Sequence, residues 1–104
     1  MTTIERAARQ LVLRAGSLTL ILDKNAGRAT MRRKHLLARK PMKRSLSEIA
    51  EVRLERSVDP ASGAEHFRTM LVMRTGGLWR LAAQDKRDGE ASVATLRDFL
   101  GMGR

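Results

Sequence analysis

The chain contains no cysteine, only two prolines and three aromatic residues among its 104. Without thiols it has no disulfide, no thiolate metal ligand and no cysteine nucleophile. Phe67, Trp79 and Phe99 are too few to build a platform on which single-stranded bases stack, and a lone Trp more often fills a core than a ligand site. No apolar run approaches the roughly 18 to 20 residues that a membrane-spanning helix requires. The N-terminal stretch carries Glu5, Arg6, Arg9 and Arg14 through its apolar positions and so lacks the unbroken apolar block of a secretory signal. A soluble, cytoplasmic protein with one compact core is the expectation.

Acidic residues are also missing from one particular place. Between positions 24 and 44 there is none, whereas Lys24, Arg28, Arg32, Arg33, Lys34, Arg39, Lys40, Lys43 and Arg44 supply nine positive charges. The remaining 12 Lys and Arg stand against 11 Asp and Glu, so nine of the formal +10 sit in one fifth of the chain. A surface that concentrates one sign gathers partners of the other, such as phosphates, acidic head groups or acidic proteins.

Catalytic constellations are not apparent. His35 and His66 are the only histidines, and neither has the Ser and Asp partners of a triad. Glu48, Glu51, Glu55 and Asp59 alternate with Arg53 and Arg56, a pattern that suits an ion-paired strand face better than a metal site. Gly76-Gly77 lacks the Lys-Ser/Thr sequel of a phosphate-binding loop. No enzyme, cofactor or metal is expected.

Residues 1–15 form an N-terminal segment that is compatible with helix or strand. Thr2 and Glu5 at capping-box spacing, with Ile4, Ala7, Ala8, Leu11 and Val12 at helical intervals, favour an amphipathic helix; Leu11-Val12-Leu13 equally suits a strand. Gly16 should end whichever element forms. Beyond it the period becomes two. Leu18, Leu20 and Leu22 share a core face, Lys24-Asn25-Ala26-Gly27 makes a turn, and Ala29 and Met31 return opposite Arg28, Thr30, Arg32 and Lys34. Lys24, Arg28, Arg32 and Lys34 should therefore sit together at the open side of this hairpin.

His35 to Arg39 reads as a connection, with Leu36 and Leu37 packed inward or protruding. Pro41 confines Lys40 to Leu46 to an edge or to the first position of a strand. Ala50, Val52 and Leu54 alternate with Glu51, Arg53 and Glu55 in a further strand. Val58 to Ala64 is a surface loop, and Phe67 to Thr75 is an apolar strand that reverses at Gly76-Gly77 into Leu78 to Ala82. Asp88 is the predicted N-cap of a closing helix that places Val93, Leu96, Phe99 and Leu100 on one side and ends at Gly101.

The stretch Leu18-Thr19-Leu20-Ile21-Leu22-Asp23 with its NAGR turn resembles the pleckstrin-homology superfold in its short bacterial form. So do Leu46-Ser47-Glu48-Ile49 leading into Val52-Arg53-Leu54, the strand with the Gly-Gly turn, and the ending Leu96-Arg97-Asp98-Phe99-Leu100-Gly101. The resemblance implies a mainly β (α+β) fold over residues 16–104: a small antiparallel PH-like barrel or split sheet of about six to seven strands, capped by one C-terminal amphipathic helix. In better-known members of that superfold, Lys and Arg near the first hairpin hold phosphoinositide head groups, which maps here onto Lys24, Arg28, Arg32 and Lys43.

The functional expectation is a non-enzymatic module docking through the basic hairpin and following loop on an anionic membrane surface, peripheral at the inner face, or on a phosphorylated ligand. The alternative is an acidic protein partner or a homo-oligomer, and nonspecific nucleic-acid binding ranks third because charge alone gives salt-dependent phosphate affinity without specificity.

Overall fold

The computed structural model describes residues 2–33 and 41–102. Eight antiparallel strands form two sheets, followed by one helix. The first sheet runs in sequence order through β1 (Thr2–Arg6), β2 (Gln10–Ala15), β3 (Leu18–Asp23), β4 (Arg28–Arg33) and β5 (Met42–Ser45). A 3-10 turn over Leu46–Glu48 leads to the second sheet, β6 (Ile49–Val58), β7 (Glu65–Met73) and β8 (Leu78–Ala83), and α1 (Lys86–Phe99) closes the chain.

The period-two segments fold as their pattern dictates. Leu11, Leu13, Leu20, Leu22, Ala29 and Met31 line the inner face of the first sheet, while Val52, Leu71, Met73, Trp79 and Leu81 line that of the second. Leu96 and Phe99 of α1 complete one buried cluster. Fully burying each large side chain of this kind contributes about 1.5–3 kcal/mol, and the apolar stripe of α1 covers part of the core that two small sheets leave open.

Several expectations need correction. The opening segment, open between helix and strand by its pattern, is a hairpin, so the slight preference for a helix is overturned: Ile4 pairs with Leu13 and Arg6 with Leu11, and the Ala7 N–H donates to the Gln10 carbonyl at 2.8 Å. Pairing with β3 gives β2 ladder bonds along both edges, which an isolated amphipathic turn would lack. This hairpin raises the strand count to eight. Ala50 does not join Val52 and Leu54 inside, because a bulge between Ile49 and Glu51 leaves it exposed and buries Ile49 instead. The helix also starts three residues early. Asp85 is its N-cap and accepts the Asp88 N–H at 2.8 Å, while Asp88 Oδ2 accepts the Gln84 N–H at 2.8 Å.

Gly101 ends α1 as predicted. Its φ of 70° lets its own N–H reach the Asp98 carbonyl and the Met102 N–H reach that of Arg97. Side chains then bolt β1 to the helix. Thr2 Oγ1 donates to Asp88 Oδ2 at 2.6 Å, and Arg6 pairs with Asp98 at 2.8 Å while lying over the Phe99 ring.

Candidate anion-binding face

The strand register divides the basic tract between two surfaces. On the outer, solvent-facing side of the first sheet, Arg28 stands across from Asp23 and Ser45, Lys43 across from Thr30, and Arg32 across from Thr19. Directly opposed residues share a face and diagonal neighbours lie within reach of long side chains, so Arg28, Lys43 and Arg32 form one group. Half-buried Val12, Ile21 and Thr30 run through the middle of this face.

Arg33 and Arg44 belong by register to the other side, across from Leu18 and Ala29, although both are exposed at the margins. Lys24 is separated from the group it was expected to join. Its Nζ lies 4.4 Å from the centroid of Phe99, against the helix, where cation and ring attract. Lys34, Arg39 and Lys40, with His35, Leu36 and Leu37, lie outside the described residues.

What distinguishes this face is the absence of compensation. Among the described residues, Arg28, Arg32, Arg33, Lys43 and Arg44 form no ion pair. The two carboxylates on the outer face are otherwise engaged: Glu5 pairs with Arg14 at 2.5 Å, and Asp23 Oδ1 accepts the N–H groups of Asn25 and Ala26, fixing the β3–β4 turn.

At one end of the face lies a shallow notch of about 390 Å³, lined by Ala26, Gly27, Arg28, Lys43, Arg44, Ser45 and Glu48. The turn and the edge strand meet there, held by the Leu46 N–H donating to the Gly27 carbonyl at 2.9 Å. The Glu48 carboxylate is committed to its own chain, accepting the Ser45 N–H at 3.1 Å and the Thr75 hydroxyl at 3.3 Å. Sequence spacing missed Ser45 and Glu48 as lining residues, because only the pairing of β4 with β5 brings them beside Arg28.

The second sheet is arranged differently. Glu55 accepts from Arg80 at 2.9 Å and from Arg68 at 3.5 Å; Arg53 approaches Glu51 at 3.3 Å, and Arg56 pairs with Glu65. The Arg80 hydrogen bond, helped by Arg68, holds the Glu55 carboxyl below the usual glutamate range despite opposing desolvation. Asp59 is likewise lowered, chiefly by the Ala61 N–H and then by Ser62, as the cap of the β6–β7 loop. Among the described residues no three His, Asp or Glu come together as a metal-binding group, and His66 is exposed opposite Ser57.

A second, larger depression of about 700 Å³ lies between α1 and β6, lined by Leu54, Val93, Ala94 and Met102 with Glu90, Arg97 and Asp98 at its rim. It lies apart from the basic group. No helix is long and apolar enough to cross a membrane among the described residues. No family model, no curated protein and no solved structure matches the chain.

Proposed function

We propose that this chain is a non-enzymatic, pleckstrin-homology-like docking module whose five-stranded sheet lays its outer face against an anionic membrane surface. One observation carries the reading: Arg28, Arg32 and Lys43 share that face without carboxylate partners, whereas the arginines of the second sheet are paired. Two sheets closed by a C-terminal helix are the architecture the resemblance implies, and they support the PH-like assignment. Each Lys or Arg near an anionic leaflet is worth about 1 kcal/mol. Three such residues suffice for reversible attachment at the inner membrane face.

Liposome sedimentation tests this. Vesicles containing acidic lipid should retain the protein at low salt, neutral vesicles should not, and raising the salt should release it as the Debye length shrinks. Joint replacement of Arg28, Arg32 and Lys43 by Glu should abolish retention; binding that ignores both salt and these changes rejects the proposal.

A second reading, docking on an acidic protein or on another copy of the chain, is favoured by β5. All four of its residues are exposed, it forms one edge of the first sheet, and Met42 retains 52% of its surface. Light scattering measures the mass that separates these outcomes, and a gel shift with arbitrary DNA and RNA addresses nucleic acid.

A further inference from the structure

We infer that the free edge of β5 accepts an acidic, extended polypeptide segment as an additional antiparallel strand. This rests on the second reading above and narrows it, because it makes the partner a carboxylate-bearing segment and removes another copy of the chain. Four strands end the two sheets: β1, β5, β6 and β8. β1 is tied to α1 through Thr2 and Arg6, the Val52 carbonyl of β6 accepts from Arg97 Nη1 at 3.1 Å, and β8 packs against α1 and β2. Of the four, only β5 has every residue exposed.

Ladder parity shows which backbone groups of β5 are open. The Leu46 N–H donates to the Gly27 carbonyl at 2.9 Å, continuing the register in which Arg44 stands across from Ala29 and Met42 across from Met31. Backbone groups alternate in direction along a strand, so those of Met42, Arg44 and Leu46 turn towards β4 and those of Lys43 and Ser45 turn away. Glu48 Oε2 already takes the Ser45 N–H at 3.1 Å. The Lys43 N–H and carbonyl therefore stand at the sheet edge, placed to exchange two hydrogen bonds with one residue of an incoming strand.

Charge decides what that strand is. Lys43 and Arg44 project to opposite faces, and neither forms an ion pair among the described residues. A second copy paired antiparallel about Lys43, about Arg44 or between them sets cation against cation, and like charges directly opposite destabilise a ladder. Lysine on an edge strand guards against self-association for this reason. A segment with carboxylates opposite Lys43 and Arg44 turns that repulsion into attraction on both faces. An apolar residue opposite Met42, which retains 52% of its surface, completes the match.

The probe is an end-blocked, fluorescently labelled peptide, Thr-Glu-Glu-Val-Thr, whose second Glu stands opposite Lys43 when Val stands opposite Met42. Anisotropy should show saturable binding to the full chain, and the Thr-Lys-Lys-Val-Thr counterpart should not bind. Methylating the backbone nitrogen of the second Glu keeps the charge but removes a ladder donor, and should weaken binding about tenfold. Exchange of the Lys43 amide proton, followed by NMR, should slow at saturating peptide. Arg44→Gln should weaken the peptide about tenfold and leave retention on acidic vesicles nearly intact, whereas Arg32→Gln should lower retention and leave the peptide bound. If the methylated peptide binds as well as its parent and the Lys43 amide keeps its exchange rate, strand addition is overturned while docking on an acidic protein stands. If the Glu peptide does not bind at all, both fall, and vesicle retention judges the membrane reading separately. A dimer in light scattering that the peptide dissociates would put a second copy at this edge and overturn the acidic segment.

Discussion

The outer faces of the two sheets use the same residue types in different ways. On the three-stranded sheet, Arg68 and Arg80 converge on Glu55 and Arg53 approaches Glu51, so positive charge is satisfied within the protein. On the five-stranded sheet, Arg28, Arg32 and Lys43 surround half-buried Val12, Ile21 and Thr30 without a carboxylate partner. Exposed ion pairs contribute at most about 1 kcal/mol each, so the second sheet gains modest stability from its pairs. The first sheet forgoes that gain and keeps its cations available. Placement, and not the formal +10, is what separates the unpaired cations of one sheet from the paired ones of the other.

The sharpest way to break this contrast is to reverse three charges on each sheet in turn. Arg28, Arg32 and Lys43 to Glu should lower partition onto acidic vesicles a hundredfold or more, given about 1 kcal/mol per charge near the leaflet. Arg53, Arg68 and Arg80 to Glu changes net charge equally, yet should cost far less partition and show instead as a lower denaturation midpoint. Equal losses of partition would mean that net charge governs binding.

Stability offers a smaller effect of opposite placement. Glu55→Gln leaves Arg80 and Arg68 without the negative charge they share and should cost up to about 1 kcal/mol in chemical denaturation, whereas Arg32→Gln should be neutral within about 0.5 kcal/mol. Lys24→Met provides a third comparison inside the basic tract. It removes the cation over Phe99, costing about 0.5–1 kcal/mol, and should leave vesicle binding nearly unchanged because Lys24 lies against the helix.

The smallest effect is a titration. Glu55 should titrate below a free glutamate, and Arg80→Met should raise its pKa more than Arg68→Met does, in the order of their influence. Because the folded value is the lower one, the stabilisation from Glu55 is complete above the pKa of the unfolded side chain. It disappears as pH falls through the folded value. NMR titration of the Glu55 carboxyl reads both shifts.

Much of this architecture was legible in the sequence. Alternation from Leu18 to Leu22, the turn at Lys24 to Gly27 and the Gly76-Gly77 reversal each gave strand phase and reversal together, and Pro41 marked β5 as an edge. Residues 2–15 were ambiguous because Ile4, Ala7, Ala8 and Leu11 satisfy a helical period as well as two short strands, and only pairing with β3 decides between them. The bulge at Ala50 shifts the alternation by one residue with no glycine to signal it. Asp85 and Asp88 both have capping chemistry, and the structure uses both. For the site, proximity in sequence misled. Neighbouring cations on a strand point to opposite faces, so Arg32 and Arg33 part company, and Arg28 meets Lys43 only across a ladder.

The hydrogen bond from Thr2 to Asp88 spans 86 positions, and its timing during synthesis follows from that distance. At about 5–20 residues per second, a ribosome delivers α1 on the order of ten seconds after β1. By the end of that interval both sheets have been made, yet their buried leucines still lack the helix that covers the core. The nascent chain is thus most vulnerable to sticking just before its final turns emerge, and a chaperone that holds apolar strands would act in that window.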